Sequence, residues 1–187
     1  MNIANWISVF RIILIPFFVS TLVYYSPEKD YLRYISLAIF SAAVISDGVD
    51  GYIARTRRLQ TRLGSFLDPM ADKLLLSASF ITMAVTQEIP SAIRLPLWIA
   101  ILVISRDIIL ALGSLLIHVL TGNLKIAPSF LGKITTVSQM FTIIFILLQL
   151  PFSFLIWDIA AFFTIASGFD YIYKGSKLLS NAGINHG

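Results

Sequence analysis

Apolar residues come in long unbroken runs, and short polar stretches separate the runs. No strand-like alternation competes with this pattern. Six runs, at residues 6–25, 34–53, 67–86, 95–119, 134–150 and 154–173, approach or exceed the length of a bilayer-crossing helix, about 20 residues. The fifth is the shortest. The connections are too short to hold a further folded unit, and no internal repeat or low-complexity segment interrupts the series. The pattern predicts an all-α integral membrane protein of six transmembrane helices, forming a single domain over residues 1–187.

Composition sharpens this expectation. Hydrophobic residues make up 57% of the chain, charged residues 13%, and the mean hydropathy is +0.84. So few charges cannot cover so much apolar surface in water. Cysteine is absent, which excludes disulfides and thiolate metal sites. His118 and His186 are too few and too far apart for a histidine zinc site. The net charge of +4 sits in loops between apolar runs, where it suits anionic lipid headgroups rather than nucleic acid.

The same loop charges predict orientation. With six spans, one side receives Arg55, Arg57, Arg58, Arg62, Lys125, Lys133, Lys174 and Lys177, and the other only Lys29, Arg33 and Arg94. Eight against three places both termini in the cytoplasm of a multi-pass protein. The first run lacks a small-residue cleavage site and carries only Arg11 as an early positive charge. It reads as a retained span, not a leader. Trp6, Tyr24, Tyr25, Tyr31, Tyr34, Tyr171 and Tyr173 fall near run ends, where aromatic belts form.

Some charges lie inside the runs or at their ends. The basic ones are Arg11, Lys73 and Arg106; the acidic ones include Asp47, Asp50, Asp68, Asp72, Asp107, Asp158 and Asp170. A charge at the centre of a membrane helix costs about 2.5–3.5 kcal/mol. Four aspartates facing lipid would therefore cost on the order of 10 kcal/mol, so they must face the bundle interior and find partners there. Asp170 stands four residues before Lys174, the spacing of a simple helical ion pair.

Asp47 and Asp50 are three apart, and Asp68 and Asp72 are four apart. Each pair shares one face of its helix, and a short basic connection makes the two helices antiparallel neighbours. All four carboxylates can meet just beneath the cytoplasmic surface. Together they repel, and something cationic must sit among them. The basic connection lies nearer water. Divalent metal is the better fit, and oxygen-only ligands select hard ions such as Mg²⁺ or Mn²⁺. Two ions about 4 Å apart form a clamp suited to phosphoryl transfer. Gly51, Ala54 and Gly64 leave room for a ligand or helix to approach, and Arg55 can grip a phosphate with two parallel hydrogen bonds.

Written out, Asp47 to Asp72 reads D-x₂-D-G-x₂-A-R-x₈-G-x₃-D-x₃-D. Every fixed position and gap resembles the signature of the CDP-alcohol phosphotransferase family, and the six-span layout extends the resemblance over the chain. The resemblance implies that an alcohol attacks the β-phosphorus of a CDP-linked donor and CMP leaves. It also implies a homodimer. Asp47, Asp50 and Asp68 would hold two divalent ions, Asp72 would complete that site and act as general base, Gly51, Ala54 and Gly64 would line the cytidine pocket, and Arg55 would hold donor phosphate.

The opening MNIANWISVFRIILIP, with Asn5, Ser8 and Arg11, resembles bacterial phosphatidylglycerophosphate synthases, although Ala4 stands where those usually have proline. The stretch SFLGKITTVSQ, around Lys133, Thr136 and Gln139, resembles the same group. That resemblance implies CDP-diacylglycerol as donor and glycerol 3-phosphate as acceptor, with Arg106 and Lys133 on the acceptor's phosphate. Snorkelling to the interface is the plainer role for both. Asp107 stands where that group commonly has glutamate, and the Arg106-Asp107 pair is more similar to cardiolipin synthases, whose acceptor is phosphatidylglycerol. An ion or proton transporter is a remoter alternative. The aspartates cluster near one face instead of forming a path across, which argues against it.

Overall fold

The computed structural model describes residues 3–57, 62–121 and 129–184, with the side chains at 3–5, 7, 48–69, 118, 120–121 and 179–184 outside the described set. The described residues form six α-helices and no strand: α1 Ile3–Val23, α2 Tyr31–Arg57, α3 Arg62–Val85, α4 Leu97–Thr121, α5 Phe130–Leu147 and α6 Ser153–Ile184. They follow the six apolar runs in order. Among them, Leu97–Ile117, Phe130–Leu147 and Ser153–Leu178 are long and apolar enough to cross a membrane, and α1 holds a shorter apolar stretch, Ser8–Val23.

Several helices outrun their apolar segments. Hydropathy marks where lipid is crossed, whereas a helix continues until a cap or breaker stops it. Helix α5 shows both stops. Ser129 caps its start by accepting the Gly132 N–H at 3.1 Å. At its end, Leu150 N–H reaches the Phe145 carbonyl and Gln149 N–H reaches that of Ile146, a Schellman closure. Gln149 takes the left-handed position at φ 53°, usually given to glycine, and its side chain donates to the Tyr25 hydroxyl at 3.0 Å. Pro151 then prevents further helix.

Helix α1 lies against both α2 and α3, α4 joins α3 to α6, and α5 pairs with α6. Phe18, Phe40, Phe80, Met83, Ile99 and Ile143 are sealed in the shared core, with the Phe18 and Phe40 rings 5.9 Å apart. Large apolar side chains, including Phe17, Leu112, Phe162 and Phe169, cover the outer faces. This distribution suits lipid rather than water. Helices α4 and α6 cross closely at Gly113, where a Cβ would come within 2.8 Å of the Tyr171 ring. The Tyr171 hydroxyl donates to the Leu110 carbonyl at 3.1 Å across that crossing.

At the end of the bundle where α1 gives way to α2, Arg33 is buried and fully bonded. Its Nε and Nη2 donate to the two carboxylate oxygens of Asp30, each at 2.7 Å, and Nη1 donates to the Leu147 carbonyl at 2.7 Å. The last interaction fills an open acceptor at the end of α5 and sets a positive charge at that helix's negative pole. The hydrogen bond from Arg33 holds the Asp30 carboxyl below its ordinary range.

Candidate active site

Asp47 stands ten residues before the end of α2 and Asp72 ten residues after the start of α3. Both therefore lie about 15 Å from their helix ends at 1.5 Å per residue. Arg11, eight residues into α1, lies at a similar depth and meets both. Its Nη1 donates to Asp72 Oδ1 at 2.7 Å. Its Nη2 stands 2.7 Å from Asp47 Oδ1, an ion pair without hydrogen-bond geometry, and its Nε has no hydrogen-bond partner. Arg11 is fully sealed (0% exposed), whereas the side chains of Asp47 and Asp72 are 35% and 28% exposed. The guanidinium sits behind the carboxylates, and the carboxylates face accessible space.

A second charged group continues from α3 to α6. Lys73, next to Asp72, has its Nζ 3.9 Å from Asp107 Oδ1 on α4. Arg106 Nη1 donates to the same oxygen at 2.8 Å, and Arg106 Nη2 donates to Ser167 Oγ on α6 at 2.6 Å. The first turn of α5 closes this group, since a Cβ on Gly132 would lie 3.4 Å from Arg106 Nη2. Lys133, the next residue, is exposed. The three cations of the apolar runs, Arg11, Lys73 and Arg106, thus each meet one or more of Asp47, Asp72 and Asp107. Among the described side chains, each of these buried or half-buried charges has an opposite charge beside it, as a low-dielectric interior requires.

Sequence reasoning singled out Asp47, Asp72, Arg106 and Lys133, and the fold places the first two on one guanidinium. Arg106 is buried in the neighbouring group, with Lys133 close by on α5. Asp50, Gly51, Ala54 and Arg55 lie on α2, and Gly64 and Asp68 on α3, but their side chains fall outside the described residues. Among the described residues no three acidic or histidine side chains gather to hold a metal. The donor set still fits a hard divalent ion. It is made of carboxylate oxygen alone, and two of its four members reach a single cation from different helices.

The sequence reading passed over two partners, Arg11 and Ser167. Arg11 was visible as a charge inside an apolar run, and such a charge must be paired, but spacing along the chain does not say with what. A serine in a membrane helix carries no such signal. The pair predicted from spacing, Asp170 with Lys174, forms at 2.7 Å.

Apolar outer helix faces around an interior seam of charged side chains fit a membrane protein. Residues 1–166 match the CDP-alcohol phosphatidyltransferase family, and the chain belongs to it. A relative from Bacillus subtilis is 34% identical, with 97% of this chain and 98% of the relative covered. One from Haemophilus influenzae is 39% identical over 74% of this chain and 71% of its own length. One from Yersinia enterocolitica is 33% identical over 95% and 96%. All three carry the name CDP-diacylglycerol–glycerol-3-phosphate 3-phosphatidyltransferase.

Proposed function

We propose that this protein transfers the phosphatidyl group of CDP-diacylglycerol to glycerol 3-phosphate, giving phosphatidylglycerophosphate and CMP. The observation that carries the reading is the meeting of Asp47 and Asp72. The first and last carboxylates of the motif come from two helices onto one guanidinium, with both carboxylates partly exposed.

In this reading Asp47, Asp50, Asp68 and Asp72 would hold two divalent ions, Mg²⁺ or Mn²⁺, whose positive charge would offset the charge of the donor diphosphate. Arg55 grips donor phosphate, and Gly51, Ala54 and Gly64 leave space for the cytidine. Asp72 takes the proton of the acceptor hydroxyl as its oxygen bonds to the β-phosphorus and the bond to CMP breaks. Arg106 and Lys133 hold the acceptor's own phosphate beside the first turn of α5. The chain would form one domain of six spans in a bacterial inner membrane, with both termini and the 58–61 connection cytoplasmic, and would pair as a homodimer.

The alternative acceptor is phosphatidylglycerol. In its favour, Asp107 faces Arg106, and an apolar groove of about 190 Å³ between α4 and α6 runs beside Arg106. A lipid acceptor would need such a surface in addition to the one that the donor's acyl chains take.

One assay tests both readings. Purified protein with CDP-diacylglycerol and Mn²⁺ receives each acceptor separately, and CMP is measured. Release with glycerol 3-phosphate, lost in chelator and restored by Mn²⁺, is expected. Release with phosphatidylglycerol alone would transfer the assignment to the alternative, and full activity in excess chelator would remove the metal. Removing Arg106 or Lys133 should raise the KM for glycerol 3-phosphate about ten- to a hundredfold, the loss of one charge-assisted bond. Cysteines at Arg58 and Ser26 should label from opposite faces of the membrane.

A further inference from the structure

Helices α2 and α3 make little direct contact among the described residues, while α1 packs against both. Among the described residues α1 links the Asp47 and Asp72 stretches, and its Arg11 touches both carboxylates. Its form suits the task. A guanidinium is a planar fork with two terminal nitrogens, and here each takes one carboxylate oxygen. Full burial and helical neighbours on both sides hold the fork still.

We infer that Arg11 is a positioning residue for the motif. It holds the Asp47 and Asp72 carboxylates in register across two helices so that they can act as one cation site. This rests on the divalent-ion reading given above. Positive charge alone does not do this, because a lysine ammonium is a single point on a flexible stem and cannot span both oxygens as the fork does.

The test is direct binding of Mn²⁺ to detergent-purified protein without donor, followed by the loss of the free-ion electron paramagnetic resonance signal. Unfolding temperature is recorded in chelator on the same samples. Arg11→Lys keeps the charge and loses the fork. Its Mn²⁺ affinity should fall about 10–100-fold, as when a group orienting metal ligands is removed. Arg11→Gln, with a shorter planar head, serves if the lysine variant does not fold. Wild-type affinity in the folded variant overturns the inference, also when its unfolding temperature is lowered, because that is what a purely structural arginine would give. Asp68→Asn is the control. If wild type binds no Mn²⁺, or Asp68→Asn binds it unchanged, the divalent-ion reading fails along with this one. If the control behaves and Arg11→Lys does not differ from wild type, only the role of Arg11 falls.

Discussion

Arg11 and Arg33 are both buried arginines, yet they are satisfied in opposite ways. Arg33 fills three nitrogens with hydrogen bonds, two to a carboxylate three residues away and one to a helix terminus. The ring of Tyr34 also lies 4.3 Å from its guanidinium carbon. Among the described residues Arg11 makes one well-formed hydrogen bond, one ion pair and no hydrogen bond through Nε, and its partners come from 36 and 61 residues away. A group whose demands are met locally fastens backbone to backbone. A group with fewer hydrogen bonds, holding two partly exposed carboxylates from separate helices, sets where those carboxylates stand. In the proposed reading, the comparison assigns stability to one end of the bundle and chemistry to the other.

The sharpest way to break that assignment is at Asp72. If it is the base, Asp72→Asn should lower turnover by roughly 10²–10⁴ while the donor still binds. Equal loss of donor binding would make it a ligand only. Next comes Arg33→Ala, which removes the charge-assisted bond to the Leu147 carbonyl and should lower unfolding stability by about 1.5–3 kcal/mol. Initial rates per folded molecule should stay at the wild-type level. A fall in rate with unchanged unfolding would put chemistry at the wrong end.

A smaller effect is expected at Ser167. Ser167→Ala removes one donor–acceptor contact from Arg106, about 0.5–1.5 kcal/mol, or a two- to tenfold rise in the glycerol 3-phosphate KM. Donor KM should not move, and a matched rise in both would place Ser167 in general packing. The smallest effect is a pH dependence at the Arg33 end. Asp30 is held below its ordinary 3.8, so its contribution is present above that value and lost as pH falls through the lowered one. The unfolding-temperature difference between wild type and Asp30→Asn should stay level from about pH 7 to 5, then close in stronger acid. A difference that closes near neutrality would contradict the pairing.

Legibility in the sequence followed the range of each interaction. Helix order was readable because each run is predominantly apolar over the length of a helix, and Asp170 with Lys174 because helix geometry fixes that contact. That Asp47 and Asp72 need partners was readable, because a carboxylate inside an apolar run must be paired. Helix ends were less so: α5 was expected at 134–150 and is found at Phe130–Leu147, since Ser129 and the Gln149 closure set its limits rather than hydropathy. Partners across helices were not readable. Nothing in the spacing of Arg11, or of Lys73, Asp107 and Ser167, says which helix lies opposite, because packing chooses that.

The distance in sequence between Arg11 and its partners has a consequence for biogenesis. In the six-span reading, helix α1 leaves the ribosome ahead of α2 and α3, and Arg11 reaches the membrane before either carboxylate does. At about 5–20 residues per second, the 36 residues to Asp47 take roughly 2–7 s. During that interval the apolar remainder of α1 must outweigh an unpaired charge costing about 2.5–3.5 kcal/mol. Nascent chains stalled before Asp47 should keep α1 close to the insertion machinery, and chains stalled after α3 should release it. Arg11→Leu should abolish that difference, because α1 would then need no helix that follows it.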